Sequence, residues 1–191
     1  MNRLEIVLAS ASPRRQELLR QVGAQFRVKP SQVDEQISEP MQPGAMVEYL
    51  ALAKARDVAA TEPGALVLGS DTIVVVDDQV LGKPKDRADA IAMLQSLSGR
   101  SHQVMTGVAL IAGGRELVGH EVTTVYFRPL SLGEIERYVD SGEPMDKAGA
   151  YGIQGRAGAM ISAIEGDYFT VVGLPLCRTV SMLAQFGVNV L

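Results

Sequence analysis

The chain has 191 residues, 47% of them hydrophobic, enough to bury one sizeable core, so a single domain over residues 1–191 is expected. A formal net charge of −4 excludes a general attraction to nucleic acid or anionic membranes, and any phosphate-binding surface must be built from locally clustered cations. One cysteine, Cys177, excludes a disulfide framework and a cysteine-rich zinc site, and no apolar run is long enough for a signal peptide or a membrane span, so a reducing, cytoplasmic setting is expected.

Leu4–Ala9 predicts a short buried strand running directly into a helix, with Ser12 as its cap, Pro13 in its first turn, Leu18, Leu19 and Val22 on its apolar face and Gly23 as its stop. After a polar stretch over Ser31–Pro43, a second helix is expected over Ala45–Ala60. Leu66–Val76 then reads as a central strand broken at Gly69-Ser70-Asp71-Thr72. Asp77-Asp78 predicts a hairpin turn. A third helix opens at Pro84-Lys85-Asp86 and ends at Gly99, and strands follow near Gln103–Ile111 and Glu121–Arg128. Ser131 with Glu134 spells a capping box for a helix through Tyr138 and Val139. Glycines crowd residues 142–158. A hairpin of Ala159–Ile164 with Tyr168–Val172 and a last helix from Pro175 to just before Gly187 complete the chain. The pattern predicts an α/β fold, a mixed sheet with helices on both sides, with the unusual polar residues gathered in loops beyond strand ends.

Ser10-Ala11-Ser12-Pro13-Arg14-Arg15 brings two hydroxyls and two guanidinium groups to a helix N-terminus, where free N–H groups and the helix dipole favour an anion. Taken alone, Ser12 as a simple cap with both arginines in solvent explains the segment equally well. Lys54 falls on the inward stripe of Val47, Leu50, Ala51 and Val58, so it either snorkels to the surface or neutralises a ligand in a pocket. Asp71 is the sharpest anomaly, a carboxylate inside an otherwise apolar strand. It needs a metal, a cation or a chemical task, the structural alternative being an aspartate that accepts backbone hydrogen bonds, and Gly69 nearby allows a ligand close to the backbone. Glu35 is the second carboxylate of choice, and the two would hold Mg²⁺ or Mn²⁺ on a triphosphate through oxygen ligands. Lys83, in Gly82-Lys83-Pro84, follows a hairpin that returns towards Asp71 and suits a phosphate. Asp146 to Gly155 suits a binding loop whose Gln154 and Lys147 can read a base. Neither His102 nor His120 sits in a hydrolytic triad pattern, which favours direct attack by water.

Taken together, Leu8-Ala9-Ser10-Ala11-Ser12-Pro13-Arg14-Arg15, Val33-Asp34-Glu35, Lys54-Ala55, Gly69-Ser70-Asp71-Thr72, Gly82-Lys83-Pro84, Leu97-Ser98-Gly99 and Val172-Gly173-Leu174-Pro175 resemble the motifs of the Maf family, in order and over nearly the whole chain. The resemblance implies a cytoplasmic nucleoside triphosphate pyrophosphatase with a curved mixed sheet, related in fold to inosine triphosphate pyrophosphatases, using a divalent cation and often a homodimer. It implies Asp71 as proton acceptor, Ser10, Arg15, Lys54 and Lys83 around the phosphates, and Glu35 with Asp71 at the metal. Arg14, Thr72 and Gln154 match the specificity positions of the type that hydrolyses dTTP and UTP. The related 7-methyl-GTP type carries tryptophan after Ser-Pro, glutamine after the aspartate and glutamate in the late loop, and all three differ here. A non-catalytic nucleotide-binding regulator of septum formation is the alternative from another class, against which the intact Asp71, Glu35 and lysine set argues. The acidic balance gives no extended basic face for nucleic acid.

Overall fold

An eleven-residue strand, β3 (Leu66–Val76), runs unbroken through Gly69, Ser70, Asp71 and Thr72, and every residue but Thr72 is buried. The break expected there does not occur, because burial on both faces keeps the ladder continuous and a single carboxylate is accommodated by a partner rather than by a bend. The computed structural model describes residues 4–35, 37 and 40–191. In chain order the remaining elements are β1 (Ile6–Leu8), α1 (Pro13–Gln21), β2 (Phe26–Val28), α2 (Pro43–Ala59), β4 (Gln79–Leu81), α3 (Arg87–Leu97), β5 (Ser101–Ala112), β6 (Arg115–Phe127), α4 (Leu132–Asp140), β7 (Ile161–Glu165), α5 (Tyr168–Val172) and α6 (Leu176–Ala184). Among the described residues the strands make a seven-stranded sheet in the order β2-β1-β3-β5-β6-β7, with β4 paired to β3. Parallel pairing of β1 with β2 and β3, and antiparallel pairing of β3 with β4 and β6 with β7, make it the mixed sheet expected. No helix among the described residues is long and apolar enough to cross a membrane.

The chain divides into two compact units, the first comprising Met1–Asp71, Thr106–Glu121 and Gly173–Leu191. Here Leu8 lies opposite both Val28 and Leu68 in parallel register. Val7, Ala9, Val67, Ala109 and Ile111 pack in one cluster with Ala51, Ala55 and Val58 of α2. Strand side chains alternate, so Ile6, Leu8, Leu66 and Leu68 point the other way, and they too are buried. Both faces are therefore covered, and each fully buried Leu or Val contributes about 1.5–3 kcal/mol of transfer free energy. Helix α2 reaches the sheet at Gly69, where a Cβ would stand 2.2 Å from the Ala51 carbonyl oxygen and 2.8 Å from the Ala55 nitrogen. The close approach read from this glycine is thus made by a helix rather than by a ligand, and its consequence is to set α2 directly over β3.

The second unit comprises Thr72–Met105 and Val122–Val172. Asp77 and Asp78, at φ 48° and 61°, form the expected two-residue hairpin turn, placing Val76 opposite Gln79. Asp86 caps α3 by accepting from the Asp89 N–H at 2.8 Å. Ser131 and Glu134 form the full capping box on α4, and Ile135, Tyr138 and Val139 then join Val74, Leu94, Leu97, Val104, Phe127 and Tyr151 in the core. Strands β5 and β6 are longer than expected because they meet at a two-residue turn, Gly113-Gly114, that the apolar pattern does not mark. The expected hairpin at the end of this unit is half right. Ile161–Glu165 is a strand, but its partner is β6, with Val125 opposite Ile164, while Tyr168–Val172 is a short helix. Asp167 decides this locally: its Oδ2 accepts from both the N–H and the hydroxyl of Thr170 at 2.7 Å, starting a helical turn instead of a returning strand.

Candidate active site

Polar groups concentrate where parallel strand β1 ends and α1 begins. Ser12 caps α1, its hydroxyl accepting from the Arg15 N–H at 3.5 Å, and Pro13 takes the first turn. Ser10 turns inward, its hydroxyl accepting from the Ser12 N–H at 3.2 Å and from Arg15 Nη1 at 3.1 Å. Arg15 Nε donates to the Gly173 carbonyl at 2.8 Å, and the fully buried Ser70 hydroxyl donates to the same oxygen at 3.1 Å. Ser12 is therefore a cap, but Arg15, half-buried, is bonded inward to Ser10 and Gly173 rather than left in solvent. Burial pushes the Arg15 guanidinium below its ordinary value; the charges of Asp71 and Glu35 oppose that shift while Arg14 reinforces it. An arginine stays charged at neutral pH regardless, so a cation is fixed at this helix N-terminus.

Lys54 lies on the inward face of α2 with Val47, Leu50, Ala51, Ala55 and Val58, as its spacing predicts, and it does not snorkel. Its Nζ donates to Asp71 Oδ1 at 2.6 Å and pairs with Glu35 Oε1 at 2.8 Å. Asp71 is buried with it, on the same face of β3 as Gly69, whereas Glu35 reaches in from an exposed loop with 54% of its side chain in contact with solvent. A buried ammonium would be costly unpaired, and two carboxylates converging on one point offset that cost. Ser10, Arg15, Glu35, Lys54 and Asp71 thus form one cluster within the first unit. Ser70 and the Gly173 carbonyl belong to it too, and neither was singled out from sequence; the signal was their place in the motifs around Asp71 and before Pro175.

The other expected residues lie elsewhere in the chain's organisation. Thr72, half-buried, opens the second unit and projects from the opposite face of β3 to Asp71. Lys83 is exposed just beyond β4, whose pairing ends with Leu81 opposite Val74. Gln154 is exposed in a loop of short 3-10 turns over residues 143–160. Lys147, in the same loop, has its Nζ bonded to the Glu143 carbonyl at 2.5 Å and to Asp146 Oδ1 at 2.6 Å. His102 bonds Tyr151 at 2.7 Å and His120 bonds Glu48 at 2.7 Å, so neither activates a serine.

Among the described residues no group of three or more histidines, cysteines and carboxylates stands ready to hold a metal ion. The donor chemistry at Asp71 and Glu35 nonetheless suits a hard cation. Two carboxylate oxygens lie within 2.8 Å of a single positive centre, leaving other ligand positions to phosphate and water, as Mg²⁺ prefers.

Comparison with known proteins matches the family described as Maf-like protein over residues 5–186. The dTTP/UTP pyrophosphatase of Symbiobacterium thermophilum is 64% identical over 183 residues, covering 96% of this chain and 94% of its own. That of Moorella thermoacetica is 56% identical over 188 residues, covering 97% of each. Among solved structures, a HAM1 protein from Coxiella burnetii aligns over 65% of this chain and 73% of its own, with a TM-score of 0.43 and 24% identity. With a family match over nearly its full length and relatives above half identity, this chain belongs to the Maf family.

Proposed function

We propose that the chain is a nucleoside triphosphate pyrophosphatase that hydrolyses dTTP and UTP to the monophosphate and pyrophosphate, the activity carried in the names of its relatives at 64% and 56% identity. The observation that carries the chemistry is the convergence of Arg15, Lys54, Asp71 and Glu35 beside the carboxyl end of a parallel strand, where two cations can meet phosphates and two carboxylates remain to act on water. Asp71 accepts the proton of the attacking water. Ser10, Arg15 and Lys54 engage the phosphates, and Lys83 adds a further charge to them. Glu35 and Asp71 would supply oxygen ligands for Mg²⁺ or Mn²⁺, which when bound would neutralise phosphate charge and polarise the scissile bond. Lys54 holds both carboxylates before substrate arrives and exchanges part of that contact for phosphate oxygens. Gln154, with Thr72 and Arg14, selects the base, the amide's donor and acceptor matching the carbonyl and N–H edge shared by thymine and uracil.

The purified protein, incubated with dTTP, UTP, CTP, GTP and 7-methyl-GTP in the presence of Mg²⁺ or Mn²⁺, is expected to release pyrophosphate and monophosphate fastest from dTTP and UTP. Preference for 7-methyl-GTP would reassign the base specificity, release of orthophosphate alone would move the cleaved bond, and tight binding without turnover would make the chain a nucleotide-binding regulator.

A further inference from the structure

Gln154 sits at the tip of a tight turn closed by the Gly155 N–H donating to the Gly152 carbonyl at 3.1 Å. An exposed side chain on such a turn reads a base only if its backbone is held to within about half an ångström. The two flanks of the turn are tied to one pair of side chains. The Gly152 N–H donates to the Tyr138 hydroxyl at 3.3 Å, the Tyr138 hydroxyl donates to Glu143 Oε1 at 3.0 Å, and Glu143 Oε2 accepts from the Arg156 N–H at 3.2 Å. One hydroxyl and one carboxylate therefore bracket Ile153, Gln154 and Gly155 from both sides. The Glu143 carboxylate also occupies the space beside Gly155, where a Cβ would stand 2.1 Å from Oε1.

The clamp is itself anchored. Tyr138 is buried near the C-terminal end of α4, and burial first, then the Glu143 charge, pushes its hydroxyl above the ordinary tyrosine value, so it stays a donor at neutral pH. Glu143 follows Gly142, and its backbone carbonyl accepts from Lys147 Nζ at 2.5 Å. On the near side of the turn Tyr151 is fixed by His102 at 2.7 Å and by edge contact with Phe127 at 4.9 Å between ring centroids. None of these groups belongs to the cluster around Asp71.

We propose that Tyr138 and Glu143 are positioning residues for base selection, clamping the Gly152–Gly155 turn so that Gln154 presents its amide in one orientation. The proposal rests on the reading of Gln154 as the base-selecting residue. It makes discrimination between nucleotides, rather than turnover as such, depend on a hydroxyl that touches no substrate.

The test measures kcat/KM for dTTP and for a purine triphosphate in Tyr138→Phe, Gln154→Ala and the double variant, with Glu143→Gln as a second disruption of the same clamp. Tyr138→Phe removes one hydroxyl and is expected to lower the dTTP-to-purine ratio by about tenfold, the size of a lost hydrogen bond of this kind, with the purine value changed less than about twofold. In the Gln154→Ala background the same substitution should leave the ratio unchanged, because the group it positions is gone. Glu143→Gln should move the ratio in the same direction. An equal loss for all nucleotides, or an effect of Tyr138→Phe undiminished by Gln154→Ala, would overturn the positioning role. A ratio that falls in Gln154→Ala but holds in Tyr138→Phe and Glu143→Gln removes the clamp and leaves the base reading standing, whereas a ratio indifferent to Gln154→Ala removes both.

Discussion

Lys54 Nζ lies 2.6 Å from Asp71 Oδ1, joining the middle of α2 to the middle of β3 with both side chains about 90% out of solvent. This pairing holds the carboxylate assigned to the attacking water in a fixed place. Asp71→Asn keeps the shape and one acceptor but removes the proton-accepting anion. Turnover of dTTP should fall by on the order of a hundredfold or more while nucleotide affinity, read by calorimetry, changes little. Near-normal turnover would take the base role from Asp71.

Lys54→Ala takes from Asp71 the cation hydrogen-bonded to it, and breaking one side of a buried pair costs about 3 kcal/mol. Chemical denaturation should show that loss in Lys54→Ala and a smaller one in Lys54→Ala with Asp71→Asn, since the second substitution removes the uncompensated charge. Additive losses would mean that the pair is solvated in the working protein. Triphosphate KM should also rise in Lys54→Ala and in Lys83→Ala, each of which deletes a positive charge.

Gln154→Glu replaces the amide donors with a negative charge, penalising a base edge that presents carbonyl oxygens. Competition assays should show dTTP and UTP turnover falling more than that of purine triphosphates, a change in discrimination on the order of 1–3 kcal/mol. A proportional loss on every nucleotide would return Gln154 to a loop-supporting role.

Gly69→Ala drives a methyl into the Ala51 carbonyl, 2.2 Å from where its carbon would stand. Neither partner is a flexible side-chain end, so β3 and α2 must separate, lowering stability by about 1–3 kcal/mol and loosening the contact between Lys54 and Asp71. The urea midpoint checks the first effect and dTTP turnover the second; a midpoint unchanged within error would show that α2 yields freely.

His102 is buried beside Phe127 and Tyr151, and desolvation brings its pKa from 6.5 to about 4. The folded state therefore holds this imidazole neutral while the unfolded chain binds a proton between those values. Its contribution to stability is complete above about pH 6.5 and is lost as the pH falls towards 4, amounting to about 2 kcal/mol between pH 7 and pH 5. Thermal midpoints of the native protein and of His102→Gln, compared at both pH values, should show a steeper acid loss in the native protein. Parallel losses would place the acid sensitivity elsewhere.

Much of this protein was determined by its sequence alone, wherever the cause is local. Ser12, Asp86 and the Ser131–Glu134 box start helices because each hydroxyl or carboxylate reaches an N–H two or three residues away, and Asp77-Asp78 turns the chain through two residues at positive φ. Lys54 was legible as inward from its spacing, and Asp71 as anomalous because no apolar strand tolerates an unpaired charge. Tertiary structure decided what those charges meet. The continuity of β3 through Gly69–Thr72, the use of Gly69 to admit α2 and the shared grip of Lys54 on Asp71 and Glu35 depend on elements far apart in the chain. The edge strand β2, three mostly exposed residues without alternation, carried no pattern to read, and the partner of β7 was decided by β6 rather than by the residues that follow it. The Tyr138–Glu143 clamp on the Gln154 turn was equally hidden, because a hydroxyl on a helix and a carboxylate in the following turn acquire that role only when the loop folds back over them.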